Sequence, residues 1–515
     1  MLLDNLGDVI RVNAKHYRNK VAFLCGGTKR TFFEFNERVN RLVNSLYASR
    51  MKKGDRLGII ASNRIEFMEA YGAAEKGGFV AVPLNSRLDR SEIAYIVQNS
   101  GTSAIIAEGR FVHLVRDLSV PNIYVFAPEK EDVATYESLI ATGDPVEPDV
   151  HIHSKDVAYL MYTGGTTGSP KGVSLDQGGQ MANAKCMLIE IGMLPEDTLL
   201  TVMPLHHIGG KTFANAHFHR GCTNVLVPSF DAGSVLNLIM MQEVRSVLLA
   251  PTMIKMLLDH LNDRSFPTEI LKNIYYSSAP MPVSLLRKAI ATFGRVFVQF
   301  YGLTESGPSA TMLRKEDHLP DGTDREQKRL ASAGRPMIYN EVQVVDERDH
   351  EVSVGQVGEV RIKGEQVMQG YWRNESGTAE TLRDGWVYSG DYGMMDEDGF
   401  LYVVGRKKDV IISGGENIYP REIEEVLNSH PAVREVAVVG VPDEKWGEAV
   451  KAVIVLNEGT ALTEREVIEY CKQHLASYKK PKSVDFRPAL PKSSLGKILK
   501  AKIREEFWRK LERKI

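Results

Sequence analysis

Long apolar runs, clustered cysteines and a dominant charge are all missing from this 515-residue chain. No stretch approaches the ~18 consecutive apolar residues of a membrane-spanning helix, so stable membrane insertion is not expected. The four cysteines, Cys25, Cys186, Cys222 and Cys471, lie far apart without a CxxC pair. They give no disulfide framework, and a reducing cytoplasm is the expected setting. Lys and Arg number 64 against 66 Asp and Glu, a formal net charge of −2. That balance excludes a strongly basic nucleic-acid-binding chain. The opening MLLDNLGDVIRVNAKHYRNK has no basic segment followed by an apolar one, and does not read as a secretory signal. Internal repeats, low-complexity tracts, GxSxG and the Walker pattern GxxxxGK[ST] are absent as well. The common hydrolase elbow and the common phosphate loop therefore have no support.

What is present is an ordinary folded composition, 43% hydrophobic and 25% charged. At ~150 residues per domain the length suggests three or four structural units. The first ~300 residues alternate helical and strand patterns, the signature of α/β layers. Thr31-Phe-Phe-Glu34 reads as a capping box, with Phe35, Val39, Leu42, Val43 and Leu46 behind it on one helical face. Runs such as VRSVLLAP (244–251), KNIYYSS (272–278) and VFVQFY (296–301) suit strands buried on both faces. After about residue 335 the strands become short and alternating, with Asp/Gly turns, as in a small antiparallel or barrel-like unit. Past GRKKD (405–409) the pattern is helix, strand, strand, helix and a basic tail, a compact α+β module of roughly 100 residues. In that tail Ile503, Phe507, Trp508 and Leu511 share a helical face. Packing on its own domain is favoured there over a membrane-surface helix.

The strongest chemical signal is Thr163-Gly-Gly-Thr-Thr-Gly-Ser-Pro-Lys171, directly after the apolar strand VAYLMY. Its glycines let backbone N–H groups approach an anion closely, its hydroxyls donate, and Lys171 adds charge. Polyphosphate is the natural ligand.

YTGGTTGSPKG resembles the phosphate loop of the adenylate-forming superfamily, which includes AMP-forming acyl-CoA synthetases, amino-acid adenylation domains and beetle luciferases. Further stretches follow in that superfamily's order: MPLHHIGG (203–210), SSAP (277–280), YGLTES (301–306), GEVRIKGEQVMQGYW (358–372), YSGD (388–391), GRKKDVIISGGENIYPREIE (405–424) and LPKSSLGKILK (490–500). The resemblance implies an α/β fold: a large domain (1–405) of two stacked, mostly parallel sheets and a small barrel-like unit, then a mobile α+β domain (406–515).

It also implies roles. Thr163, Gly164, Gly165, Thr166, Thr167, Gly168 and Lys171 would cradle phosphates. Tyr301 would stack on adenine, with Ser278, Ala279 and Pro280 on the purine's other face and Gln299, Gly302 and Val403 nearby. Thr304 would contact phosphate, and Glu305, with Thr166, would hold Mg²⁺, a hard cation suited to carboxylate and phosphate oxygens. Asp391 would accept from both ribose hydroxyls, beside Arg406. Lys497 would reach over the reacting carboxylate and stabilise charge developing on the bridging oxygens. Two departures stand out: Gly164 replaces a usual serine, and Leu495 a usual Ser or Thr.

A domain swing about Lys408 would then replace Lys497 with Ser413, Gly414, Gly415 and Glu416, lining a channel for pantetheine. Arg87, Trp446, Tyr478, Lys480 and Lys482 match contacts to the CoA nucleotide. His207 takes the place of an aromatic gate, and Tyr276, Ser277, Leu303 and Gly307 are acyl-pocket candidates. Zinc at His206, His207, His217 and His219 is weaker than packing or gating, because no cysteines accompany them in ligand spacing. Lys211 either forms a salt bridge or rims the acyl tunnel.

The implied reaction joins a carboxylic acid, ATP and CoA, with Mg²⁺, into acyl-CoA, AMP and diphosphate through an acyl-adenylate. A hydrophobic monocarboxylate is expected: medium-chain, alicyclic or aromatic. Two rivals are an enzyme that loads a carrier protein and a non-catalytic nucleotide-binding homologue. Monomer and homodimer are both open.

Overall fold

The structure, a computed structural model, describes residues 5–127, 136–163, 169–492 and 496–512. Gly164, Gly165, Thr166, Thr167 and Gly168 of the expected phosphate cradle lie outside the described residues, as does Leu495.

The fold is α/β, as the alternating patterns predict. A nine-stranded sheet has a parallel centre, strands Phe297–Tyr301, Asn273–Tyr276, Ser246–Leu249, Thr198–Thr201, Thr223–Leu226 and Val21–Cys25, with antiparallel strands at both edges. A seven-stranded sheet is built around parallel strands Val157–Thr163, Val80–Pro83, Arg56–Ile60, Thr102–Glu108 and Asn122–Phe126. One large apolar cluster joins Phe23 and Leu226 of the first sheet to Ile59, Ile106 and Met161 of the second, with helices between them. The capping box at Thr31 forms: Glu34 N donates to Thr31 Oγ1 at 3.2 Å, and Thr31 N to Glu34 Oε2 at 2.8 Å. Helix Phe32–Ala48 behind it buries Phe35, Val39, Leu42, Val43 and Leu46 in that cluster, each worth about 1.5–3 kcal/mol of removed apolar surface.

The short alternating strands fold as a five-stranded antiparallel sheet that includes Asn340–Val345, Gly358–Gly364, Trp386–Met395 and Leu401–Arg406. After the turn Lys407–Asp409 comes a further five-stranded sheet with helices on both faces. Its long strands Val433–Asp443 and Gly447–Leu456 are apolar on both faces, with a register shift between Val433 and Glu435. Val436, Val438, Ala452 and Ile454 face helices Pro420–Asn428 and Glu464–His474, while Ala437, Val439, Val453 and Val455 face the terminal helix Lys500–Glu512. Ile503 of that helix is fully buried, Phe507 packs beside it, and Trp508 Nε1 donates to Gly440 O at 3.2 Å. The helix packs on its own domain, as its apolar face predicts. Among the described residues no helix is long and apolar enough to cross a membrane.

Candidate functional site

Residues of the nine-stranded sheet, the antiparallel sheet and the C-terminal module meet around Asp391. This aspartate lies in strand Trp386–Met395, opposite Arg406 across the antiparallel pair, and is buried. Tyr301, the last residue of its strand, donates its hydroxyl to Asp391 Oδ2 at 2.9 Å, and Arg406 Nε stands 3.0 Å from Oδ1. Each carboxylate oxygen keeps a second lone pair able to accept from a sugar hydroxyl. Burial first, then the Asp391 charge, push the Tyr301 phenol well above its usual range, so it remains a neutral donor. Its ring packs against the apolar core of the third sheet, where Val403 also lies.

Close by, Ser278 adopts a left-handed φ of 73°, an uncommon conformation for a non-glycine residue and of the kind found at ligand clamps. It turns Ser277–Pro280 outward from the end of strand Asn273–Tyr276. Gln299 Oε1 is buried without a hydrogen-bond partner. Gly302 admits no side chain, because a Cβ there would sit 2.5 Å from Pro308 O.

Lys497 reaches this neighbourhood from the C-terminal module. The loop that carries it docks through Gly496, whose Cβ position lies 2.8 Å from Thr252 Oγ1 on helix Pro251–Leu261. Desolvation of the ammonium, then the neighbouring Arg406, lower the Lys497 pKa to about 8, opposed by Asp391 and Asp409. The residue as a whole is exposed, so solvent moderates the shift. Its direction follows from the lost hydration of the ammonium, reinforced by the Arg406 cation and only partly offset by the two carboxylates.

At the phosphate end, strands Val157–Thr163 and Lys171–Asp176 pair Thr163 with Lys171, so both ends of the Gly/Thr run are pinned. Lys171 Nζ sits 4.8 Å from the ring centre of Tyr371, a cation–π distance. The Tyr371 hydroxyl donates to Glu305 Oε1 at 2.8 Å. One tyrosine thus links the loop lysine to the expected Mg²⁺ carboxylate, and burial, then Glu305, raise its phenol pKa. Sequence reasoning missed Tyr371, although it closes the quoted stretch ending QGYW. Thr304 shares the tight turn with Glu305: Gly307 N donates to Thr304 O at 3.3 Å, and Leu303 N to Ser306 Oγ at 2.9 Å.

On the acyl side, His207 caps helix Ile208–His219. Desolvation first, then Arg87, hold its pKa down to about 4, so the ring is neutral near pH 7. Arg87 belongs to this neighbourhood in the present arrangement, apart from the other CoA candidates. Asn183 donates its amide to Gly307 O. Tyr276 is a core residue, its hydroxyl 2.9 Å from His318 Nε2. Among the described residues no three His, Cys, Asp or Glu side chains converge on a metal position; His217 Nδ1 lies 2.9 Å from Phe213 O. Lys211 forms a buried salt bridge, with Nζ 2.7 Å from Glu75 Oε1 and 2.7 Å from Asn215 Oδ1, under the Tyr71 ring.

The remaining CoA candidates gather on the C-terminal module. Gly414, at φ 63°, lies so close to Trp446 that a Cβ would sit 2.5 Å from the indole. Gly414 N donates to Trp446 O at 2.9 Å, and Ser413 pairs with Gly447. Gly415 and Glu416 complete that turn. Lys482 Nζ stands 4.9 Å from the Trp446 ring centre. Tyr478 and Lys480 lie in the adjoining turn, where Lys480 Nζ donates to Ser477 O at 3.0 Å. Lys408 sits between the modules in the turn Lys407–Asp409, its carbonyl accepting from Arg504 Nη1 at 3.2 Å.

Fold and neighbourhoods together define a multidomain α/β enzyme of the adenylate-forming superfamily. Residues 10–372 match the AMP-binding enzyme family and residues 422–497 the AMP-binding enzyme C-terminal domain. The chain belongs to the AMP-binding enzyme family. It is 36% identical over 483 residues to a feruloyl-CoA synthase of an Amycolatopsis species, covering 94% of this chain and 95% of that protein. It is 34% identical to a fatty acid–[acyl-carrier-protein] ligase of Streptomyces coeruleorubidus, covering 100% and 98%. Among solved structures, o-succinylbenzoate CoA synthetase from Bacillus subtilis, in complex with its acyl-adenylate intermediate, superposes with a TM-score of 0.85 at 30% identity, covering 97% of this chain and 98% of that one.

Proposed function

We propose that the chain is an AMP-forming acyl-CoA synthetase working in two half-reactions. The substrate carboxylate attacks the α-phosphorus of ATP and expels diphosphate, giving acyl-AMP. The CoA thiol, losing its proton, then attacks the acyl carbon and expels AMP. No protein nucleophile is required; positioning and charge stabilisation carry the rate. The observation that carries this reading is Lys497, brought by the second module to the Asp391–Arg406–Tyr301 group.

In this reading Asp391 and Arg406 hold the ribose, Tyr301 and Ser278–Pro280 the adenine, and Thr163, Lys171 and Thr304 the phosphates. Glu305 offers hard carboxylate oxygen. A single carboxylate with phosphate and water oxygens suits Mg²⁺, which keeps most of its ligands outside the protein. In this reading, Lys497 seated beside Asp391 and Arg406 marks the adenylating arrangement. A rotation about Lys408 would carry Lys497 away and bring Ser413–Glu416 and Trp446 round for CoA, with Lys482 and Arg87 as phosphate partners. The substrate is a medium-chain, alicyclic or aromatic monocarboxylic acid. The overall exchange of one phosphoanhydride for a thioester is near balance, so the enzyme can also run toward ATP.

A panel of such acids, assayed for AMP release with and without CoA, tests this. Release that requires acid and rises with CoA, with acyl-CoA as product, supports the reading. Because one relative is a carrier-protein ligase, acid-dependent adenylation without any acyl-CoA would replace it with carrier loading.

A further inference from the structure

Three buried polar groups sit without hydrogen-bond partners beside the expected acyl pocket. They are Gln180 Nε2 and Asn183 Oδ1 on helix Gln177–Ile191, and Thr212 Oγ1 on helix Ile208–His219. The residues are 3%, 2% and 3% exposed. Such groups are costly to leave unpaired, and most buried polar atoms are paired.

Geometry puts them together. The two helices run in the same direction: Arg220 Nε, just past the end of one, donates to Met193 O, just past the end of the other, at 3.0 Å. Ala184 and Met187 share an apolar cluster with Phe213 and Ala216, fixing the faces that meet. By that alignment Asn183 lies level with Thr212, early in the second turn of its helix, and Gln180 one turn nearer the N-terminal end of the same seam. His207 stands at the N-terminal end of the Thr212 helix, and the carbonyl of Gly307, another acyl-pocket candidate, already holds the Asn183 amide.

We propose that the acyl pocket of this chain is built for a carboxylic acid bearing a hydroxyl group, read by Gln180, Asn183 and Thr212. The inference rests on the acyl-CoA synthetase reading above and names its substrate class. A hydroxyl both donates and accepts, matching one free donor, one free acceptor and a threonine able to do either. A second carboxylate fits poorly, since it would face the acceptor Asn183 Oδ1. The nearest buried cation, Lys211, is already engaged by Glu75. A purely aliphatic acid would leave all three groups unpaired.

Matched acids test this: benzoic, phenylacetic, cinnamic and cyclohexanecarboxylic acids, each with a ring hydroxyl or with methyl in the same place. The best hydroxy acid should exceed its methyl partner in kcat/KM for AMP release by about tenfold or more, since sites built to pair a hydroxyl reject analogues lacking it. Thr212→Val and Gln180→Leu should each bring that ratio toward one. Both should also raise the melting temperature, because each removes a buried unpaired group. Equal or better use of methyl acids, an unchanged ratio in the variants, or lowered melting temperatures would overturn the inference. If neither kind of acid releases AMP, the synthetase reading itself fails. If methyl acids react as well as hydroxy acids, that reading stands and only the substrate class falls.

Discussion

Lys497 is where physical chemistry presses hardest on the account. Its ammonium must be charged to draw a carboxylate and an α-phosphate together, and its pKa lies near 8 because it is desolvated beside Arg406. A lysine with a lowered pKa loses its charge as pH rises through that value. Acid-dependent pyrophosphate exchange should therefore decline above about pH 8, whereas thioester formation from supplied acyl-AMP should show no such limb from this group. Parallel pH profiles of the two half-reactions check this. A second residue-scale expectation concerns Lys211. Replacing it with Met leaves Glu75 buried and uncompensated, which should cost about 3–5 kcal/mol of unfolding free energy. Adding Glu75→Gln should recover much of that loss, as read in denaturant unfolding. Sequence alone left Lys211 between a salt bridge and the tunnel rim, because its partner lies 136 positions away in the chain, on another helix.

At the scale of elements, the loop bearing Gly496 and Lys497 is the contact that sets the observed arrangement. Gly496 has φ 77° and rests against Thr252. Gly496→Ala should cost about 1–2 kcal/mol through the left-handed backbone, a roughly five- to thirtyfold loss in adenylation. Thioester formation from acyl-AMP, which does not use this docking, should change little. Elements were legible in the sequence wherever periodicity and caps agreed. The Thr31–Glu34 box, the first strand after the helix that follows GRKKD and the apolar face of the terminal helix all stand as read. What stayed hidden depends on pairing between distant segments. The short strand Gly370–Tyr371 is defined only by its partners Val173 and Ser174, and it is this pairing that carries Tyr371 between Lys171 and Glu305.

For the whole molecule, the near-zero net charge conceals a division of labour. One module supplies Asp391, Tyr301, Glu305 and Lys171, and the other brings Lys497 beside Asp391 while carrying Ser413–Glu416, Trp446 and Lys482. Motif order in the sequence nominates residues, but does not say which of them share a neighbourhood at one time. That is a property of how the C-terminal module is seated, and no local pattern encodes it. The buried polar seam at Gln180, Asn183 and Thr212 escaped notice for a related reason, since both helices are buried on most sides and show no single apolar face in the sequence.

The most direct test of the two-half-reaction account is the Lys497→Ala variant, measured in both half-reactions with the same acid. The account predicts near-complete loss of acid-dependent pyrophosphate exchange, with formation of acyl-CoA from supplied acyl-AMP and CoA retained. Equal loss of both, or exchange that survives the substitution, would contradict it.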